Sequence, residues 1–204
     1  MFEEAFKNEL RSINRAEFLV DRLWNEVKSA YTGRNRHYHN LAHLDKIISE
    51  IMPVRAAIGD WQTIVLSVAY HDVVYDTRKQ NNEEKSANLA CTRLLEHGLS
   101  QIRAEKCRQQ ILATKDHRAS DDADTNYFSD ADLSILGQDE HSYSAYVAGI
   151  RKEYSFYPDF LYRPGRRKVL EAFLNRNTIF ITSYFREKYE EQSRANIAAE
   201  FRSL

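Results

Sequence analysis

The sequence predicts an all-α fold, and two observations predict it. Apolar residues recur at intervals of three and four rather than two, and only 3 Pro and 6 Gly interrupt 204 residues. With 43% hydrophobic residues the chain can bury a continuous core. It shows no internal repeat, low-complexity tract or linker, so one domain over 1–204 is expected.

Phe6, Leu10, Ile13, Leu23, Trp24 and Val27 trace one face of a first helix, which the polar stretch TGRNRHYHN ends. Leu41 to Met52 reads as a second helix, with Pro53 marking its end or a kink. Trp61, Ile64, Val65, Val68 and Ala69 make a strongly apolar third helix that runs into His71 and Asp72. A fourth runs from Asn82 to Glu96, closed by His97 and a Gly98 cap. A fifth runs from Ile102 to His117 and is followed by ASDDADTN, read as a solvated acidic loop. Ala131 to Leu136 forms a short helix stopped by Gly137. Tyr143, Tyr146, Val147, Ile150 and Tyr154 form a stripe that reads as core rather than as a ligand platform. Pro164 suits the first turn of a further helix through Val169, Leu170, Phe173 and Leu174, and a charged helix from about Glu187 completes the chain.

Charge and cysteine content narrow the function. Lys plus Arg (29) balance Asp plus Glu (30), and the net charge of -1 gives no general attraction to nucleic acid or an anionic membrane. A phosphate-binding site must therefore be local. The N-terminus is charged throughout and no apolar run is long enough to span a bilayer. Cys91 and Cys107 are too few for a disulfide framework and read as small buried hydrophobes, so a reducing cytoplasm is the expected compartment.

The chemistry is concentrated in three segments. In VLSVAYHDVVY an adjacent His71 and Asp72 interrupt an apolar run, and burying them costs several kcal/mol unless both are compensated. A structural ion pair is one compensation, a metal ion another. RHYHNLAHL places His39 and His43 one turn apart on one helix face. In FSDADLSILG, Asp130 and Asp132 enter a short apolar helix, and a carboxylate from there would complete two nitrogens and two oxygens around a divalent cation with room for water and substrate. Such donors suit Mn, Fe, Co, Ni, Zn or Mg without choosing among them.

At these residues the chain resembles the HD superfamily, whose signature is a His, an HD doublet closing a helix, and a distant Asp. The resemblance implies a single HD-type helical domain, with a core over approximately 30–140 and a C-terminal helical extension over 141–204. It implies metal ligands His43, His71, Asp72 and Asp132. With YHNLAHL, HDVVYD, NNEEKSA, ATKDH, DADLSILG, IRKEY and YRPGRRKVL, the whole chain also resembles a bacterial group of predicted HD-type metal-dependent phosphohydrolases. Tyr38-His39-Asn40 with His43 resembles the Y-H-N-x-x-H segment of cyclic-nucleotide phosphodiesterases, which implies His39 as general acid and His43 as ligand; a helix-capping role for His39 is the alternative. HDVVYDT is similar to the HDVVED segment of guanosine-tetraphosphate hydrolases, but Tyr75 stands in place of the acidic residue.

Two-metal members of the superfamily carry further histidines. Asn82 stands where the first would be, while His117 matches the second, so one ion is favoured and His117 is expected near the site as a substrate contact or weak ligand, with an ordinary helix-end histidine the alternative. Glu83 or Glu84 is a candidate to orient a metal-coordinated water, although the helix macrodipole equally explains acidic residues in a first turn. Among the basic residues beside the motifs, Arg36, Lys79 and Lys115 are the candidate substrate contacts. The expected activity is hydrolysis of a phosphate ester or anhydride, with a small phosphorylated partner such as a nucleotide and a homodimer left open. A non-catalytic metal- or nucleotide-binding regulator and a purely structural polar network are the alternatives.

Overall fold

A computed structural model describes all 204 residues as ten α-helices and two 3-10 segments, with no strand. The helices are α1 (Phe2–Ile13), α2 (Glu17–Tyr31), α3 (Leu41–Ile51), α4 (Trp61–Tyr70), α5 (Asn82–His97), α6 (Gln101–Ala113), α7 (Ala123–Asp132), α8 (Glu140–Glu153), α9 (Asp159–Leu174) and α10 (Ser183–Ser203). The 3-10 segments are Met52–Ala57 and Leu133–Gly137. No helix is long and apolar enough to cross a membrane.

The fold is organised around α4. Asp60 caps its start, accepting from the Thr63 N–H at 3.1 Å and the Thr63 hydroxyl at 2.8 Å. Every residue from Thr63 to Tyr70 is buried, so α4 has no solvent face, and α1, α3, α5, α6 and α7 surround it. Ile64, Val65, Leu66 and Val68 each contribute roughly 1.5–3 kcal/mol of burial. Ser67 is tolerated inside because its hydroxyl donates to Gln110 Oε1 at 2.7 Å. The C-terminal end of this central helix presents His71 and Asp72.

Four boundaries differ from those expected. The single first helix is two, broken at Asn14, which is extended (φ −144°, ψ 118°) and whose Oδ1 accepts from the Ala16 N–H at 3.0 Å. The fifth helix ends at Ala113, and His117 lies beyond it at φ 47°, in the left-handed region. There Arg176 donates to the carbonyls of Asp116 (2.7 Å) and His117 (3.1 Å) and holds the turn. The acidic stretch is no solvated loop: Asp122 caps α7, and Asp124 is buried, accepting from Gly59 N, Asp60 N and Lys106 Nζ. A helix thus begins eight residues before Ala131. Finally α9 starts at Asp159, which puts Pro164 inside the helix rather than in its first turn.

The C-terminal helices pack back on the centre. α10 lies against α9 and against the Leu133–Gly137 segment. The approach is close enough that a Cβ on Gly137 would fall 2.5 Å from Tyr189 Cβ, so only glycine fits. Asp130 anchors the chain entering α10, accepting from Ile181 N, Thr182 N and the Thr182 hydroxyl at 2.7–2.8 Å. Gly98 caps α5 at φ 105°, as its sequence position predicts.

Candidate metal centre and its cavity

Three helices bring the distant motifs together. His43 comes from the first turn of α3, His71 from the end of α4 and Asp132 from the end of α7. One ligand atom of each lies within 4.8 Å of the others. His43 Nε2 is 3.0 Å from Asp132 Oδ1 and 3.3 Å from His71 Nε2. His71 Nε2 is also 3.2 Å from Asp72 Oδ2 and 3.7 Å from Asp132 Oδ1. Asp72 therefore belongs at the edge of the cluster rather than inside the compact trio. His43 and His71 are buried, at 5% and 1% exposure, whereas Asp132 retains access to the cavity described below.

The His71 ring is fixed from behind, because its Nδ1–H donates to the Val68 carbonyl at 2.9 Å. A neutral ring held this way turns its Nε2 lone pair toward His43 and the two carboxylates. More lone pairs then face one point than protons can satisfy, and this set of imidazole nitrogens and carboxylate oxygens fits a divalent borderline metal. Without a cation the proton fills the gap. Burial pushes His71 down, but Asp72 and Asp132 outweigh it and raise it to about 9. Burial pushes Asp132 up, yet its hydrogen bond from His43 and the charge of His71 bring it to about 2. Asp72 is driven the same way, chiefly by His71 and His39 against its burial. Burial lowers His43 and His117.

His39 does not cap a helix. Asn40 does, accepting from the Ala42 N–H at 2.9 Å. His39 is instead gripped by Glu153, a residue the sequence reading passed over. Glu153 Oε1 accepts from the backbone N–H groups of His37, Tyr38 and His39 at 2.7–2.9 Å. Its Oε2 accepts from His39 Nδ1 at 2.7 Å and from the Tyr75 hydroxyl at 2.9 Å. This leaves His39 Nε2 on the cavity side, 3.7 Å from Asp72 Oδ2. Burial lowers the His39 pKa, but Asp72 and Glu153 raise it overall. An acidic residue three positions after Ile150 on an otherwise apolar stripe was the available signal.

The cluster opens into a cavity of about 510 Å³, in the range typical of small-molecule sites. His39, Asp72, Glu83, His117 and Asp132 line its polar end. His117 Nε2 is 3.6 Å from Asp132 Oδ2, and its Nδ1 is buried without a partner. Burial raises Glu83. Glu84 lies off the cavity and pairs with Lys115 at 2.5 Å.

The basic residues expected at the substrate lie elsewhere. Lys115 is spent on Glu84 and the Gln80 carbonyl, and Lys79 is exposed; neither lines the cavity. Arg36 donates to the carbonyls of Asp72 (2.7 Å), Val73 (3.2 Å) and His39 (3.3 Å) and stacks between Tyr31 and Tyr75. It satisfies carbonyls where α4 ends and ties the His39 loop to the His71-Asp72 turn. The recess it does line is a neighbouring one. Asn82 bridges the backbone of Asp76 through both ends of its amide, a structural latch.

The far wall of the cavity was unexpected. Tyr146, Ile150 and Tyr154 of the α8 stripe face it, as do Leu161, Gly165, Val169 and Phe173 of α9. Comparison of the chain with protein-family models, with curated proteins and with solved structures finds no match, so the functional reading rests on these atoms.

Proposed function

We propose that the chain is an HD-type metal-dependent phosphohydrolase that cleaves a phosphate ester or anhydride. The observation that carries the reading is the convergence of His43, His71 and Asp132 from three separate helices within 4.8 Å, with the His71 ring locked to point inward. His43, His71 and Asp132 would hold the ion, with Asp72 beside them. A divalent cation there supplies Lewis-acid polarisation of a phosphoryl oxygen and lowers the pKa of a coordinated water.

The chain's own groups supply the proton traffic. The water oxygen bonds to phosphorus as the P–O bond to the leaving group breaks. Asp72 accepts the proton that the water loses. His39, held by Glu153 with its Nε2 on the cavity, gives a proton to the departing oxygen. Asp72 Oδ2 and His39 Nε2 stand 3.7 Å apart, too far for a direct hydrogen bond, so the proton taken by Asp72 leaves to solvent through the cavity and His39 takes its next proton from solvent. Glu83, on the same polar end of the cavity, would orient water there.

The test is elemental analysis of purified protein, followed by a phosphoester panel with Mn, Co, Ni and Mg added separately. About one equivalent of metal is expected, together with hydrolysis that His71→Ala reduces by about a thousandfold while the helical spectrum persists. Metal-free protein whose melting temperature ignores both chelator and added cations would support the structural-network alternative and refute the proposal.

A further inference from the structure

On the strength of the hydrolase reading, we propose that the α9 end of the cavity holds the apolar body of the substrate, and that the substrate is a singly phosphorylated ester of an aromatic or bulky aliphatic alcohol. On α9, Leu161, Gly165, Val169 and Phe173 recur every four residues and therefore form one stripe that lines the cavity, with Phe173 at its inner end packed against the core and the other three open to the cavity. Of the sixteen residues of α9 only Tyr162 and Leu170 are buried. Leu161 and Val169 stay 54% and 46% exposed while continuing an apolar surface that leads inward to the metal cluster. Gly165 is the gap in the stripe: a Cβ there meets nothing within 4 Å. Tyr162, on the same wall, is 9% exposed, with its hydroxyl buried and without a partner behind the apolar lining.

Charge sets the number of phosphates. The one Lys or Arg on the lining is Arg166, and its guanidinium is already engaged by both Glu200 oxygens at 2.7 and 2.9 Å and by the Tyr146 hydroxyl at 3.2 Å. The lining also carries the carboxylates of Asp72, Glu83 and Asp132. A chain of phosphates needs several free cations, and beyond the metal and the His39 acid this cavity offers no unpaired Lys or Arg.

The experiment compares 1-naphthyl phosphate, glycerol 2-phosphate and ATP with the Mn-loaded protein. The naphthyl ester is expected to exceed both others in kcat/KM by about tenfold or more. Gly165→Leu, which fills the gap, is expected to cut the naphthyl-to-glycerol ratio by about tenfold, mostly through KM. Val169→Glu, at a half-exposed position that accepts a charge without unfolding, should lower the same ratio. ATP or the glycerol ester as preferred substrate, or an unchanged ratio in both folded variants, overturns the proposal. If no ester is hydrolysed the hydrolase reading fails, and fluorescence titration of 1-naphthyl phosphate in Mg decides the cavity by itself. Saturable binding that Gly165→Leu weakens supports it, and absence of binding overturns it.

Discussion

The two ends of one cavity are built by opposite rules. At the polar end the groups given chemical roles are fixed by hydrogen bonds: the His71 ring by Val68, His39 by Glu153, and the Asp72 backbone by the Tyr31 hydroxyl and Arg36. At the α9 end Leu161 and Val169 line the cavity while about half-exposed, and Gly165 faces open space. Reactions need atoms fixed within fractions of an ångström, whereas an apolar group needs only a shape to fill. Substitutions at the first end should therefore act on kcat and metal affinity, and those at the second on KM.

Glu153→Gln breaks this contrast most directly. It keeps the size of the side chain but withdraws the negative charge beneath His39. We expect kcat to fall by about 10- to 100-fold, with metal content retained and the alkaline limb of the pH profile, set by the His39 acid that Glu153 raises, displaced to lower pH. A change confined to KM would show that Glu153 serves only as a structural anchor.

The next effect is on stability. In the metal-free protein His71 is raised from 6.5 to about 9, so its pairing with Asp72 and Asp132 contributes fully below pH 6.5 and is lost as pH rises through 9. His43 and His117, lowered by burial, act in the opposite sense but below that window. Thermal melts of chelated protein should therefore fall between pH 6.5 and 9, while melts in saturating metal should not, because the ion replaces the proton. A flat or rising melting temperature in the chelated protein would contradict the cluster as drawn.

The smallest effect separates charge near the motifs in sequence from charge near the site in space. Lys79→Ala and Lys115→Ala should each change kcat/KM by less than about twofold, since both side chains lie off the cavity. A large KM effect from either would place the phosphate outside the cavity.

The all-α class was legible from the recurrence of apolar residues at three and four, the central helix and His71-Asp72 from a polar pair interrupting an apolar run, and the link to His43 and Asp132 from the resemblance to the HD pattern; of that four-residue set the compact trio is His43, His71 and Asp132. What stayed hidden depended on partners far along the chain. Asp124 reads as solvated until Gly59 and Asp60 are seen to donate to it, and Arg36 reads as a phosphate ligand until three carbonyls claim it. The stripe on α9 has the period of a buried face, and no local signal distinguishes a face that meets a cavity from one that meets a helix. Glu153 stands out as an acid on the apolar α8 stripe, but its partner His39 lies 114 residues away, so no local pattern names the pair.

X-ray absorption at the metal edge tests the central claim most directly. Protein reconstituted with one equivalent of manganese or zinc should show a first shell of nitrogen and oxygen at roughly 2.0–2.2 Å with outer-shell imidazole scattering from two histidines, and His43→Ala should halve the imidazole signal. A shell of water oxygens alone, unaltered in His43→Ala, would contradict the metal centre.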